Sequence, residues 1–330
     1  MPSTASSDVP AAHRLTLGEG ATAVQASRLD PRVLLKREDL NPTGSHKDRA
    51  ASFQLARAAA AGSVGVTISS SGNAAIATSR YAALHGITAC VCVHPTTEPA
   101  KLAAIGGSTT TVIVTPRAIN TAKHIARELG YPNLRPSVHD DALIGYSTLG
   151  DELAMLDVDA VVLFATSGAT AVAVADQLAA RHPGAVAVHF VQGEGNAALA
   201  DPDSQVSDQS ARGAAAGRLG VRHSRRSRQL LAAIAGTGGS GHVVSAERVA
   251  EARLALLAED IEVSDESAAN YAVALELAAT GARVACVISG APPTAATVPP
   301  ARMLHADDEH DALEQLLAAG LVAALPEAGR

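Results

Sequence analysis

Residues 34–51 read LLKREDLNPTGSHKDRAA and join two different kinds of sequence. An apolar strand pattern at 33–37 leads into a polar loop, and an Ala-rich helical pattern begins at Lys47. Pro42 and Gly44 mark the loop as a turn. A single amine therefore lies at the start of a helix, shortly after a strand. Because ligands of parallel α/β sheets bind beyond the carboxyl ends of the strands, this position predicts a functional lysine.

The same alternation of strand and helix patterns continues along the chain. Hydrophobic residues make up 47% of the 330 residues and aromatic residues only 2%, so the core must consist of Ala, Val, Leu and Ile. This composition and the β-α repetition predict an α/β fold with parallel sheets and helices on both faces. The predicted strands are 33–37, 64–69, 88–93, 110–115, 160–165, 185–192 and 283–289. The predicted helices are 47–61, 73–86, 98–107, 117–129, 170–181, 246–258 and 265–279. The stretch 200–245 is the least regular and predicts a surface segment.

Charge and cysteine content bear on the partners and the compartment. The net charge of −7 gives no reason to expect nucleic acid or an anionic membrane as a partner. Cys90, Cys92 and Cys286 lie inside apolar runs, which predicts buried thiols in a reduced compartment. The sequence contains no apolar run that would span a bilayer and no secretory signal pattern, so we expect a cytoplasmic protein. The histidines show no metal-ligand spacing, and no metal is predicted.

Three loops follow predicted strands and open helices, at 41–47, 69–73 and 165–170. Such Ser- and Gly-rich loops present backbone N–H groups and the positive end of a helix dipole, which suit an anion. None of the three matches a nucleotide-binding motif such as the Walker loop or G-x-G-x-x-G. A phosphate site without a nucleotide motif, together with one lysine at a helix start, indicates pyridoxal 5'-phosphate held by Lys47 as a Schiff base.

The segment 34–51 closely resembles the active-lysine segment of fold-type II pyridoxal-phosphate enzymes, and in particular the N-P-T-G-S-F-K-D-R-G of threonine synthases. Further segments resemble this family in the same order, at 17–24, 69–83, 145–153, 189–199 and 233–252. The chain is thus identified as a member of the tryptophan synthase β superfamily. The resemblance implies two α/β domains with the cofactor in the cleft, namely 1–49 plus 146–330 as the large domain and 50–145 as a small mobile domain. We also expect a homodimer.

The resemblance assigns roles to single residues. Lys47 would form the Schiff base and move the α-proton of the substrate. Asn73 would bind the phenolic oxygen of the cofactor ring, although it would also serve as an N-cap of the helix 73–86. Ser71 and Gly72 would approach the substrate carboxylate. Ser289 would face the pyridine nitrogen, which favours elimination and replacement chemistry.

The phosphate of the cofactor is expected at the third loop, in the segment Thr166, Ser167, Gly168, Ala169 and Thr170. Thr166 and Ala169 stand where the family usually has glycine, so the alternative of a plain strand-helix turn stays open. His46 stands where threonine synthases have Phe and tryptophan synthase β chains have His. We expect it to donate to the phosphate, against the alternative of a helix-start histidine without a ligand.

Two activities are compatible with these motifs. A threonine synthase would convert O-phosphohomoserine into threonine and would need donors for a second phosphate. The candidate donors are Lys36, Arg49, Ser69 and Thr148. The alternative is a β-replacement or ammonia-lyase enzyme acting on serine, threonine or an activated serine, favoured by His46, the altered loop 166–169 and the unusual SGAPP at 289–293. Both are pyridoxal-phosphate-dependent lyase-type enzymes. A non-catalytic relative is disfavoured by Lys47 and Asn73.

Overall fold

The computed structural model describes residues 9–194, 197–200, 225–292, 294 and 299–322. Its strands are β1 (Val24–Ala26), β2 (Val33–Arg37), β3 (Gly65–Ser69), β4 (Thr88–Val93), β5 (Thr110–Val114), β6 (Ala160–Phe164), β7 (Ala187–Gly193), β8 (Gly241–Val244), β9 (Val284–Ile288) and β10 (Arg302–His305). Its α-helices are α1 (Lys47–Ala60), α2 (Asn73–Leu84), α3 (Pro99–Ala104), α4 (Ala118–Leu129), α5 (Asp141–Leu153), α6 (Ala169–Arg181), α7 (Ser227–Gly236), α8 (Ala246–Leu257), α9 (Asp265–Ala279) and α10 (Glu309–Ala318).

The described chain divides into two compact units, each built on its own sheet. The first unit comprises 19–46 and 146–292 and has six strands in the order β1-β2-β9-β6-β7-β8. All neighbouring strands in this sheet are parallel except β1 and β2. The second unit has four parallel strands in the order β10-β5-β4-β3. The predicted α/β class with parallel sheets is confirmed.

The core of the first unit lies between its sheet and the helices α8 and α9. Val33, Leu35 and Val162 point from the strands into this layer and are fully buried. The facing side of α9 carries Ala268 and Ala272, whose small side chains let the helix lie close to the strands. The scarcity of aromatic residues is therefore compensated by close approach of Ala-rich helices to Val-rich strands, as the composition predicts.

The C-terminal segment differs from the expected division, which assigns 146–330 to one domain. β10 extends the four-stranded sheet by pairing with β5, with Leu304 opposite Ile113. Leu316 of α10 is buried in the same apolar cluster as Ile125 of α4. Residues 302–318 therefore belong to the second unit, because β10 pairs with β5 and the apolar face of α10 is buried there.

The stretch expected to be irregular, 200–245, is partly regular. Residues 201–224 of it lie outside the described residues, whereas the remainder forms α7 and β8. Within the described ranges, no helix combines the length and the apolarity that crossing a membrane requires.

Candidate active site

Three neighbouring strands of the first unit end at the same edge of its sheet. β9 lies between β2 and β6, and both pair with it in parallel, so that Arg37 stands opposite Ile288 and Val162 opposite Cys286. The segments that follow these strands therefore leave the sheet side by side. They are 38–46, 289–292 and 165–168, and they include two of the three loops that the sequence singles out.

The loop that precedes Lys47 is fixed to the end of β9 by backbone hydrogen bonds. Ser45 and Gly290 form an antiparallel bridge. The backbone N–H of His46 donates to the carbonyl oxygen of Ser289 at 3.1 Å, and the N–H of Ala291 donates to the carbonyl oxygen of Gly44 at 3.0 Å. The loop thus has a defined backbone path although it contains no regular strand.

The imidazole of His46 also contacts the carbonyl oxygen of Ser289, in addition to the backbone N–H of His46. Its Nδ1 lies 2.8 Å from the Ser289 carbonyl oxygen, and its ring centroid lies 5.6 Å from that of Tyr146. A carbonyl oxygen only accepts hydrogen bonds, so Nδ1 carries a proton. Nε2 is then an acceptor in the neutral ring and a donor only in the imidazolium. The predicted donation from His46 to a phosphate therefore requires a protonated ring, and it stays a prediction.

Ser289 lies at the end of β9 with its side chain nearly buried, at 7% exposure. Its Oγ is 3.2 Å from the Oγ of Ser267 in the first turn of α9. Ser267 Oγ also donates to the carbonyl oxygen of Gly290 at 3.1 Å and accepts from the N–H of Gly290 at 3.2 Å. Ser267 therefore holds both the side chain of Ser289 and the backbone that follows it. Sequence reasoning missed Ser267, because only the helix-start pattern SDES at 264–267 marks this segment.

The loop after β6 forms the N-terminus of α6. Gly168 is the N-cap residue with a positive φ of 85°, and no side chain caps the first turn. A Cβ on Gly168 would lie 3.0 Å from Leu230, so a larger residue is disfavoured by both conformation and space. Thr166 and Ser167 precede this turn, whereas Ala169 and Thr170 are already helical and buried. The uncapped N–H groups of this turn are suited to an anion.

The remaining predicted loop lies in the second unit, where Ser69 ends β3 and Asn73 begins α2. Gly72 occupies the N-cap position of α2 without a side-chain cap, so Asn73 does not serve as the cap. A Cβ on Gly72 would meet no atom within 4 Å. Gly72 therefore borders open space. Lys47 is the first residue of α1, which packs against α2 through Ala51, Leu55, Ala77 and Tyr81.

Lys36, which the sequence analysis predicts as a donor to a substrate phosphate, forms an ion pair with Glu152 instead. Its side chain is only 3% exposed, and its Nζ lies 2.6 Å from Glu152 Oε2 and 2.6 Å from the carbonyl oxygen of Thr22. Glu152 also accepts from the N–H of Ala21 at 2.8 Å. Two of the three donors of the Lys36 ammonium are thus occupied in a buried ion pair. The expected contact between Lys36 and a substrate phosphate is not supported.

The other candidate donors for a substrate phosphate lie on three different elements. Arg49 is buried in α1, Ser69 ends β3, and Thr148 lies in α5 four residues before Glu152. Their roles stay predictions.

The three cysteines are buried and unbridged, as predicted. Burial raises the pKa of the Cys90 thiol to about 12, and it also raises the pKa of Cys92 and Cys286. These thiols stay protonated near neutral pH, which disfavours a nucleophilic or redox role.

Residues 15–290 match the family of pyridoxal-phosphate dependent enzymes. The chain belongs to this family. No curated protein sequence matches it.

Solved structures of this family share the fold. An O-acetylserine dependent cystathionine beta-synthase from Helicobacter pylori is 21% identical with a TM-score of 0.70, over 83% of this chain and 93% of that chain. A T.th. threonine deaminase is 24% identical with a TM-score of 0.66, over 82% and 92% of the two chains. Maize serine racemase is 19% identical with a TM-score of 0.67, over 91% and 92%. At these identities the likeness establishes the fold alone.

The donor groups of the first unit fit the cofactor of a pyridoxal-phosphate dependent enzyme. The first turn of α6 offers N–H groups that no side chain caps, and Thr166 and Ser167 add hydroxyls beside it. Ser289 offers a fixed, uncharged hydroxyl at the end of β9. A phosphate and a heterocyclic nitrogen are groups that such donors bind. When bound, pyridoxal phosphate supplies an electron sink for charge that develops at the α-carbon of an amino acid.

Proposed function

We propose that this protein catalyses β-elimination or β-replacement on a small amino acid that carries a hydroxyl or an activated hydroxyl at Cβ. The observation that carries this proposal is the hydroxyl of Ser289, held by Ser267 Oγ at 3.2 Å. Beside the pyridine nitrogen of the cofactor, a neutral hydroxyl would leave that nitrogen unprotonated, unlike a carboxylate. The cofactor would then supply a weaker electron sink, which would favour departure of a leaving group from Cβ.

In this proposal Lys47 would hold the cofactor through its amine and would act as the base for the α-proton of the substrate. Lys47 is the first residue of α1. Asn73 binds the ring oxygen with its amide, for which no hydrogen-bond partner exists among the described residues. Ser71 and Gly72 bind the substrate carboxylate. Thr166, Ser167, Gly168, Ala169 and Thr170 bind the phosphate, with His46 as an additional donor.

The ion pair of Lys36 bears on the choice of substrate. A phosphorylated substrate needs cationic or hydroxyl donors beyond those that hold the cofactor, and Lys36 is occupied by Glu152. An uncharged substrate does not need them. The names of the cystathionine beta-synthase and the threonine deaminase, which share the fold, include O-acetylserine and threonine. These substrates fit the proposal.

Threonine synthase is the second candidate. It is favoured by residues 41–49, NPTGSHKDR, which differ from the threonine synthase signature only at His46. In that case Arg49, Ser69 and Thr148 would bind the phosphate of O-phosphohomoserine. The homodimer and the cytoplasmic location remain predictions for either candidate.

An assay with a substrate panel separates the candidates. Purified holoenzyme is incubated with serine, threonine, O-acetylserine, O-phosphoserine and O-phosphohomoserine, and phosphate, ammonia, keto acid and the enantiomers of each amino acid are measured. We expect ammonia and keto acid from a β-substituted substrate, with Lys47→Ala as the inactive control. Threonine and phosphate from O-phosphohomoserine would establish the second candidate instead. Interconversion of enantiomers without elimination or replacement would overturn both.

A further inference from the structure

Two histidines that the proposed function does not use meet on the six-stranded sheet. His189 lies in β7 and His242 in β8, and the Nδ1 of the former is 2.9 Å from the Nε2 of the latter. The Oγ of Ser240 is 3.2 Å from His189 Nδ1 and 3.1 Å from His242 Nε2. Three donor atoms from three side chains thus form a small, nearly regular triangle.

The strands fix this triangle. β7 and β8 are parallel with Val191 opposite His242, so His189 is the diagonal neighbour of His242 on the same face. Ser240 immediately precedes β8 and lies two residues before His242, which places it on that face as well. The rings are half-buried and remain accessible to solvent. Side chains on adjacent strands hold their geometry better than side chains on loops.

The distance between the two nitrogens fits a shared metal ion. Imidazole nitrogens lie about 2.0–2.1 Å from a bound metal, so two of them are about 2.9 Å apart at a right angle and about 3.3 Å apart at the tetrahedral angle. The observed separation of 2.9 Å corresponds to adjacent positions in a square-planar or tetragonal arrangement. This arrangement is typical of Cu²⁺ and Ni²⁺ with nitrogen and oxygen ligands.

We propose that His189 and His242, assisted by Ser240, bind one divalent transition-metal ion of the tetragonal class, Cu²⁺ or Ni²⁺. Water completes the coordination, because no group of three or more His, Cys, Asp or Glu side chains suited to a metal occurs among the described residues. The site joins β7 to β8, the last strand of the sheet. The proposed function assigns none of its residues a role in cofactor or substrate binding.

The charge state of the pair agrees with this proposal. Burial and the neighbouring His242 lower the pKa of His189 to about 4, and burial lowers the pKa of His242. Both rings are therefore neutral near pH 7 and present lone pairs, as metal ligands must. A hydrogen bond between the two neutral rings is the alternative explanation of their contact, and the experiment must separate the two.

The test is a calorimetric titration of the holoenzyme with Cu²⁺ or Ni²⁺ alone, with electron paramagnetic resonance of the Cu²⁺ sample. We expect one saturable equivalent and a spectrum with nitrogen ligation. His189→Gln and His242→Gln should each weaken binding by about tenfold or more. Loss of a residue that only supports a metal ligand already costs about tenfold, and these residues are the proposed ligands themselves. Ser240→Ala should weaken binding less.

The control variant is His94→Gln, which removes an exposed histidine from a loop of the second unit. It should bind like the parent protein. Cofactor absorbance and melting temperature of each variant establish that it is folded. In addition, Ni²⁺ should raise the melting temperature of the parent and of His94→Gln, but not of the two ligand variants. Absence of a saturable equivalent in the parent, or binding that survives in both ligand variants, would overturn the metal site and leave the hydrogen bond between rings as the explanation.

Discussion

The carbonyl oxygen of Ser289 accepts two hydrogen bonds from the same residue, His46. The backbone N–H lies at 3.1 Å and the ring Nδ1 at 2.8 Å. The residue that immediately precedes Lys47 is thus joined by two bonds to the residue whose hydroxyl is expected at the pyridine nitrogen. Because the two bonds share one acceptor, the ring and the backbone of His46 constrain each other.

His46→Phe removes the ring bond and keeps the backbone bond. We expect it to weaken cofactor retention by about 1–2 kcal/mol, because a hydrogen bond that fixes the loop is lost. The matched variant is His46→Asn, whose amide can donate from a position close to that of Nδ1. Dialysis followed by cofactor absorbance measures retention. Recovery in His46→Asn assigns the effect to the Ser289 bond, whereas equal loss in both variants assigns it to Nε2 and the phosphate. Unchanged retention in His46→Phe would contradict both roles.

Lys47→Ala should abolish the covalent bond between protein and cofactor. Borohydride should fix the cofactor to Lys47 in the parent protein, and peptide mass spectrometry locates the attachment. Lys123→Ala, at an exposed position of α4, is the control and should be labelled like the parent. Labelling of another lysine in the parent, or persistent labelling of Lys47→Ala, would contradict the assignment.

Lys36→Met should destabilise the protein by about 3 kcal/mol, because it leaves the Glu152 carboxylate without its cation in a largely buried place. The double variant Lys36→Met with Glu152→Gln should recover much of this loss, since the amide still accepts from the N–H of Ala21. Urea unfolding measures both. If Lys36 is purely structural, the KM for any phosphorylated substrate that is turned over should not change. A large rise of that KM in Lys36→Met would indicate that Lys36 binds the substrate phosphate.

Ser267→Ala should lower kcat about fivefold, because the hydroxyl that orients Ser289 contributes about 1 kcal/mol. The absorption spectrum of the bound cofactor should change as well, since the environment of the pyridine nitrogen changes. Ser245→Ala is the matched control, because Ser245 caps α8 by accepting from the N–H of Arg248 at 3.4 Å. It should cost about 1 kcal/mol of stability with kcat and spectrum unchanged. Equal effects of the two variants on kcat would show that only the loss of a helix cap matters.

The metal-free protein should lose stability on acidification, in part through His189. Its pKa is lowered from 6.5 to about 4 in the folded protein by burial and by His242, so the unfolded chain binds more protons between these values. The stabilisation is present above pH 6.5 and is lost as the pH falls toward 4. His189→Gln should therefore show a flatter decline of melting temperature over this window. An identical decline in parent and variant would contradict the shift.

Local patterns predict the parts of this molecule that depend on neighbours in sequence. β2 and β4 agree with the predicted strands 33–37 and 88–93, because a buried parallel strand is a short apolar run between turns. The start of α1 at Lys47 follows in the same way from the loop before it. β10 cannot be predicted from local sequence patterns. The residues of its sequence RMLH are mostly exposed, and apolar and polar residues do not alternate in it.

Contacts between distant residues are not encoded in any local pattern. Lys36 and Glu152 are 116 residues apart, and His189 and His242 are 53 apart. The order of strands in the sheet determines which of these distant residues come into contact. That order is known only from the folded structure. Local patterns therefore predict Lys36 at a phosphate, and they do not indicate the histidine pair.

The pairing of β10 with β5 has a consequence for the order of events during synthesis. A ribosome releases the chain from its N-terminus, so β9, which is the last strand of the six-stranded sheet in chain order, emerges before β10. The four-stranded sheet is incomplete until β10 has been synthesised. Before that, β5 is an unpaired edge strand, and its residues, which are buried in the folded protein, form an open hydrophobic edge. A nascent or prematurely terminated chain that lacks β10 exposes this edge to other chains, which makes it the place where we expect aggregation of incomplete chains to begin.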